Sequence, residues 1–573
     1  MKNKQQQLKN CLQENQYIIP SYQAYGGLSG FQDYGVLGFK VKSKLLDNWR
    51  NFFLNEYNDT IVEIETPVIV PYNLLKASGH VDRFTDFVVF YKDEMYRADH
   101  LAKNWFKEQG KPEMVDQVDT WNQEALEANI NKYKMLPEEV KVQRKNLMFD
   151  ITTPKQSNVD FLRPEIAQNM FVNFKSVQQF LQKPPPFGIA QIGSSFRKEI
   201  SPTQFTRMRQ FTQAEIEYFA DPQNKNHVNF DKYKNTVIPI LTSEMQMTNA
   251  PILKISVEEA VNKKLISHQI MAYFLAKVFL FATDMGMKPD KVRFRQHLPH
   301  EMAHYASECW DLEALVNDDW LECVGCADRG CYDLQTHSTH SNTSFKVRRY
   351  LDQPYEKRSL KPQLNMKIIG NQYKKLVPQI LNHFNNLDQT KMALYKGELT
   401  HGNISLNLDS AVILTNEMLN IVEETCIIEY EEYYPHTIEP SFGIDRILYA
   451  IFEQNFWARE NDEQRVVLSL PLKLSPYDIA VIALSKNDKL NPVVDQIVNT
   501  LYKDHHLKCY RDDSGVSIGR KYARIDEMGI KYVITVDFDT LNDHQVTIRE
   551  RDSLKQIRVN IDHITESIIQ LSK

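Results

Sequence analysis

Apolar residues recur at helical spacing over residues 39–53, which predicts a helix, and Thr60-Ile61-Val62-Glu63-Ile64 reads as a strand after it. Residues 257–285, rich in Ala, Leu, Lys and Phe, read as one or two helices. Two stretches alternate apolar and polar, 193–200 and 207–219, and the short loop between them predicts an antiparallel pair. In a strand, residues of one parity share a face. Arg197 and Glu199 then oppose Phe196 and Ile192, while Arg207, Arg209, Phe211, Glu215 and Glu217 oppose Ala214, Ile216 and Tyr218. The pattern describes a sheet face of arginines, carboxylates and one aromatic on an apolar backing. Solvated strand faces also carry charges, so the pattern alone does not establish a site.

The glycine-rich Tyr25-Gly26-Gly27-Leu28-Ser29-Gly30 marks the start of the folded part. Residues 103–145 and 222–290 read as helix-prone insertions over a core sheet. Residues 352–410 are polar with weak alternation and read as a third. After a composition break near 462–471 the chain alternates: strand 479–483, helix 493–502, strand 531–536 and a closing helix over 552–571. This predicts a separate α/β unit, dividing the chain into 1–464 and 465–573.

At 573 residues, with 42% hydrophobic content, two to four domains are expected. The net charge of -6 excludes a basic nucleic-acid coat, so nucleic-acid contacts must be local. No apolar run is long enough to span a membrane. The polar, glutamine-rich residues 1–17 lack the apolar core of a secretory signal. Seven cysteines, an odd number unevenly spread, suit reduced thiols in the cytoplasm. Cys323, Cys326 and Cys331 precede His337 and His340 with a zinc-like start, Cys-x2-Cys. No second knuckle follows, and residues 321–324 read as a buried strand, so free thiols are expected and no structural zinc.

The segment Phe196-Arg197-Lys198-Glu199, a loop, then Arg207-Met208-Arg209-Gln210-Phe211-Thr212-Gln213-Ala214-Glu215-Ile216-Glu217 resembles motif 2 of class II aminoacyl-tRNA synthetases, in the form used by glycyl-tRNA synthetases of eukaryotes and archaea. Ile438-Glu439-Pro440-Ser441-Phe442-Gly443-Ile444-Asp445-Arg446 resembles motif 3. Ser78-Gly79-His80-Val81-Asp82, Arg97-Ala98-Asp99-His100, Phe161-Leu162-Arg163-Pro164-Glu165, Arg293-Phe294-Arg295-Gln296-His297, Glu301-Met302-Ala303-His304-Tyr305-Ala306 and Val324-Gly325-Cys326-Ala327-Asp328-Arg329 are also family-like. Long motifs in fixed order are more specific than any one pattern.

The resemblance implies an α/β (α+β) fold, with an antiparallel catalytic sheet, helical insertions and a C-terminal anticodon-binding domain. It implies ATP-dependent ligation of glycine to tRNA-Gly by a homodimer. Arg197 and Arg446 take the catalytic roles. Arg197 is expected on the α-phosphate, where a planar fork suits phosphate oxygens, and Arg207 toward the γ-phosphate. Glu199 is expected to accept from the adenine amino group, with Phe211 and Arg446 on the two ring faces; Lys198, Met208, Glu322 and Cys323 complete the ATP site. Glu322 and Glu439 are the expected Mg²⁺ contacts. Glu165, Glu215, Glu439, Pro440 and Ser441 are expected around glycine. Glu165 and Glu215 could instead be structural partners of Arg163 and Arg209, and His80, His297 and His304 are assigned no catalysis.

Arg520, Lys521 and Arg524, with Tyr522 and the later Arg549, Arg551, Lys555 and Arg558, are expected to contact the anticodon arm. Ile166, Asn169, Gln210 and Val36 depart from the family pattern and bear on efficiency rather than identity. The competing reading is a synthetase-like nucleic-acid-binding accessory protein without activity. Retention of Arg197 and Arg446 favours the enzyme.

Overall fold

The computed structural model describes every residue except 1, 57–59, 93, 119, 153–158, 303–305, 461 and 573. His304 therefore lies outside the described residues. The chain forms two compact units: residues 1–345 with 434–573, and residues 346–433.

The larger unit begins earlier than its glycines suggest. Helix α1 (Lys2–Glu14) buries Leu8, Cys11 and Leu12. The Tyr17 hydroxyl donates to the Met528 carbonyl at 2.9 Å. Helix α2 (Val36–Phe53) starts against this segment, and a Cβ on Gly38 would lie 1.8 Å from the Tyr17 carbonyl oxygen. Only glycine permits that approach. Along α2, Leu37, Val41, Leu45, Trp49 and Phe53 are buried at helical spacing, as the sequence predicts.

Helix α2 packs behind a nine-stranded sheet. In chain order its strands are β1 (Ile61–Glu63), β2 (Phe187–Phe196), β3 (Gln210–Ala220), β4 (Val237–Leu241), β5 (Leu253–Ser256), β6 (Val292–Gln296), β7 (Glu308–Val316), β8 (Asp319–Gly330) and β9 (His436–Gly443). Their order across the sheet is β5-β4-β6-β7-β8-β9-β3-β2-β1. Pairings are antiparallel except β1 with β2 and β4 with β6. The predicted hairpin is β2–β3, in register from Phe187↔Phe219 to Phe196↔Gln210.

Ala214, Ile216 and Tyr218 enter the main core on the α2 side. The Phe442 ring lies 5.7 Å from Trp49 and 5.0 Å from Phe53. On the opposite face, a helix over Ala167–Leu181 closes one end, with Phe174 4.6 Å from Phe219. Residues 222–290, expected as an insertion, supply β4 and β5. They also supply a helix over Gln269–Asp284 that is buried along most of its length. Its uniform hydrophobicity marks a core helix.

Beyond the predicted break, the strands Ile479–Ala483, Cys509–Asp512, Tyr532–Val536, Gln545–Glu550 and Gln556–Asn560 form a five-stranded sheet. Alternation divides its apolar residues. Ala480, Ile482 and Val533 join the main core, whereas Ile479, Val481, Tyr532 and Ile534 build a second one. The expected helix over 552–571 is instead a strand followed by a helix over Ile564–Ser572.

The smaller unit contains the long ribbon of Val347–Leu364 against Leu419–Tyr433, with three α-helices and a hairpin around Ile369, Ile380, Phe384, Leu406 and Val412. Residues 352–410 fall inside it. Much of the ribbon is exposed on both faces, which removes the alternation that would have announced it.

Candidate active site

A cleft of about 330 Å³ opens over β3, β9, β8 and β7. One row of paired residues crosses its floor, Glu215, Ser441, Gly325 and Asp311, and the register continues to Gln191 and Arg295 outside it. Gly325 contributes no side chain, so the row is open at its centre.

Ser441 donates to Glu215 Oε1 at 2.5 Å, and Gln213 Nε2 donates to the same oxygen at 2.7 Å. Glu215 Oε2 and both carboxyl oxygens of Glu217 are buried without a hydrogen-bond partner. Glu439 joins them: oxygens of Glu215, Glu217 and Glu439 lie within 4.8 Å of one another. Arg329 is the buried counter-charge, 2.9 Å from Glu439 Oε2 and paired twice to Asp333.

Burial, then the neighbouring Glu439 and Glu165, push the Glu215 carboxyl up to about 8. Burial and Glu439 push Glu217 well above the usual range. Burial raises Glu439 too, against the pull of Arg329. Glu165 behaves oppositely. Burial pushes it up, but His80, Arg329 and Gln168 together hold it well below the carboxylate range. The floor thus carries more carboxyl groups than fixed cations and suits a small ammonium.

The arginines stand at the other end. Arg197 lies just past β2; its Nε donates to the Pro164 carbonyl at 3.1 Å, and its guanidinium sits 5.2 Å from the Phe211 ring centre. Arg446 belongs to a helix over Ile444–Gln454 whose Ile447, Leu448, Ile451 and Phe452 are core. Asp445 fixes the start of that helix by accepting from Thr212 N at 2.6 Å and from the Tyr34 hydroxyl. Arg446 Nε donates to Thr206 O at 2.8 Å and Nη1 to Glu322 O at 3.0 Å. Arg207 Nε stands 3.8 Å from Glu199 Oε2. Met208 and Cys323 line the same space, and burial pushes the Cys323 thiol up to about 12.

Other expected residues point elsewhere. Lys198 turns onto Asp150, and Arg209 bonds the carbonyls of Glu199 and Ser29. Pro440 has the opposite parity from Glu439 and Ser441 and does not line the cleft. The expected magnesium pair divides: Glu322 is an exposed rim carboxylate beside Arg446, whereas Glu439 lies on the buried floor. The exposed rim carboxylate offers the hard oxygen ligands that a divalent metal takes, whereas the floor acid is already held by Arg329.

Ile166 is buried, Asn169 Nδ2 donates to Pro67 O at 3.3 Å, and Gln210 is exposed. Arg329, on the floor, and Glu217, buried beside Glu215 and Glu439, are residues that sequence reasoning did not assign, although Glu217 shares the parity of Glu215. His297, Cys309 and Asp311 line the far side, with His297 Nε2 2.7 Å from Asp311. His297 is thus a hydrogen-bonded histidine.

In the C-terminal sheet unit, Lys521 is 1% exposed and donates to the carbonyls of Ala483 and Asp512. Arg549 is buried against Asp526, and Arg551 is buried against Gly529 O and Leu470 O. The Tyr522 hydroxyl meets Thr535, with Arg549 4.6 Å from its ring centre. Arg558 pairs with Asp537 and Asp543. Of the expected basic contacts, Arg520 and Lys555 are exposed, and Arg524 is half-buried on Asp512.

Residues 478–571 match the anticodon binding domain family. The chain is 39% identical to a glycine–tRNA ligase of Methanocaldococcus jannaschii, over 96% of each protein. It is 36% identical to glycine–tRNA ligase 2 of Saccharomyces cerevisiae, over 98% of this chain and 94% of the relative. It belongs to the glycine–tRNA ligase family. A solved prolyl-tRNA synthetase from Cryptosporidium parvum, 10% identical, covers 99% of the chain and 74% of its own with a TM-score of 0.53. That likeness extends the class II synthetase fold beyond the ligase family, and the fold class implied by motifs 2 and 3 is the one observed.

Proposed function

We propose that the protein activates glycine with ATP and esterifies it onto tRNA. A glycine carboxylate oxygen attacks the α-phosphorus, pyrophosphate leaves, and glycyl-adenylate forms. A ribose hydroxyl at the tRNA 3′ end then attacks the glycyl carbonyl carbon, and AMP leaves. Neither step needs a protein nucleophile; both need alignment and charge stabilisation.

The observation carrying this reading is one cleft with guanidinium groups at one end and an under-compensated carboxyl floor at the other. Arg197 holds the α-phosphate and Arg207 the γ-phosphate. Phe211 and Arg446 enclose adenine, and Glu199 receives its amino group. Glu165, Glu215, Glu439 and Ser441 receive the ammonium. Glu322 would hold Mg²⁺, which would supply neutralisation of phosphate charge. Arg520, with Lys555, contacts the anticodon arm.

The working form is a homodimer. Tyr25, at 92% exposure, and Phe39, at 65%, head a group of exposed apolar residues that includes Tyr22, Leu28 and Val36. Such a group marks a contact surface. The seven unpaired cysteines suit the reducing cytoplasm.

The test is charging. The protein, ATP, Mg²⁺, labelled glycine and total tRNA yield a base-labile, acid-precipitable glycyl ester. Failure to label tRNA from any source contradicts the proposal.

A further inference from the structure

The acceptor for the ammonium is held from behind by side chains that no role above uses. Ser78 Oγ donates to the Leu75 carbonyl at 3.2 Å and lies 2.8 Å from His80 Nδ1. The hydroxyl holds the ring from its Nδ1 side. The other ring nitrogen, Nε2, lies 3.3 Å from Glu165 Oε2, where an N–H on that nitrogen faces the carboxylate. The remaining oxygen, Oε1, accepts from Gln168 Nε2 at 3.0 Å. Gln168 is itself fixed, through Nε2 to Asp333 Oδ1 at 3.0 Å and through Oε1 to His337 Nε2 at 2.8 Å. Both carboxyl oxygens of Glu165 are therefore oriented, one by His80 and one by Gln168.

The local backbone is built for this. Gly79 has φ of 87°, a left-handed conformation that starts the short helix His80–Arg83 and turns the ring inward. A carboxyl as enclosed as Glu165, beside Glu215 and Glu439, keeps its charge only with donors on it. Without His80, only Gln168 and Arg329 would be left to offset burial, and the grip of the carboxylate on an ammonium would weaken.

We propose that His80 is a positioning residue for glycine recognition. Buttressed by Ser78, it holds the Glu165 carboxylate ionised and turned toward the substrate ammonium. The inference rests on the reading of the cleft as a glycine-activating site. It concerns the ammonium of glycine; because His80 also packs on Phe84, whose ring lies 5.4 Å from Arg197, the ATP KM is the control that separates positioning of Glu165 from a shift of the arginine.

Glycine-dependent ATP–pyrophosphate exchange by the full chain tests it, with His80→Ala, His80→Gln and Ser78→Ala beside wild type and thermal melts as a folding control. His80→Ala should raise the glycine KM about tenfold or more, since it removes a hydrogen bond to a charged group. The ATP KM should stay within about twofold, and kcat at saturating glycine should be largely kept. His80→Gln, whose amide nitrogen can reach the Nε2 position, should recover most of the loss, and Ser78→Ala should fall between. An unchanged glycine KM in His80→Ala overturns the proposal. So does a parallel rise in both KM values with no recovery by glutamine, which would mark a packing role. Wild-type protein that exchanges with no amino acid overturns the functional reading itself and this inference with it.

Discussion

Ser441 and Glu215 lie 226 positions apart in the sequence and meet in a 2.5 Å hydrogen bond at the centre of the cleft floor. The bond joins the last strand of the sheet in chain order to the second strand of the hairpin that carries the arginines. Ser441→Ala should raise the glycine KM by about tenfold and leave the ATP KM nearly unchanged, because the bond lost is to an ionisable acceptor. Steady-state exchange at varied glycine reads this directly. A rise in the ATP KM alone would move Ser441 to the nucleotide.

Glycine binding should tighten with rising pH. Glu215 is pushed up to about 8 by burial and by Glu439 and Glu165, so below that pH the free protein holds its carboxyl neutral. An ammonium favours the ionised form, and binding therefore releases a proton. The glycine KM should fall from about pH 6.5 to about pH 8, by at most tenfold per unit. Glu215→Gln should abolish that slope. A KM that rises over the same range contradicts the assignment.

Arg197→Lys keeps the charge but loses the planar fork, and Arg446→Ala removes the side chain bracing Thr206 and Glu322. Each should lower the exchange rate by about a hundredfold or more, the usual cost of removing a donor aimed at developing charge. Melting temperatures near wild type would show that the loss is catalytic. Activity within about threefold would remove these residues from the phosphate-transfer step.

Lys521 should behave as a structural residue. It is buried and donates to two carbonyls, so Lys521→Ala leaves both unsatisfied and should destabilise the protein by about 2 kcal/mol or more. Arg520→Ala should instead leave stability alone and raise the KM for tRNA. Denaturant midpoints and charging kinetics on the two variants separate these outcomes. A tRNA defect in a fully stable Lys521→Ala would restore the sequence expectation.

Much of this was legible in the chain because periodicity reports burial. The β2–β3 pair, helix α2 and the strand Ile479–Ala483 all announce themselves by spacing. Parity alone placed Glu215 and Glu217 on one face. What parity cannot report is where a strand ends: Arg197 lies beyond β2, and Arg209 turns to Ser29. Charge was a poor guide to exposure in the C-terminal sheet unit. Arg549 and Arg551 read as surface cations, yet each is buried with acceptors supplied by distant residues. Helix α1 was missed because a polar, glutamine-rich helix needs only Leu8, Cys11 and Leu12 to dock. The long ribbon of Val347–Leu364 and Leu419–Tyr433 escaped for the opposite reason, since much of it has two wet faces and no alternation.

ATP–pyrophosphate exchange by the purified protein, run with each of the common amino acids in turn, bears most directly on a cleft built for a triphosphate and a small ammonium. Glycine should drive exchange, with alanine, serine, threonine and proline at least about a hundredfold weaker. No exchange with glycine, or equal exchange with alanine, would contradict that chemistry.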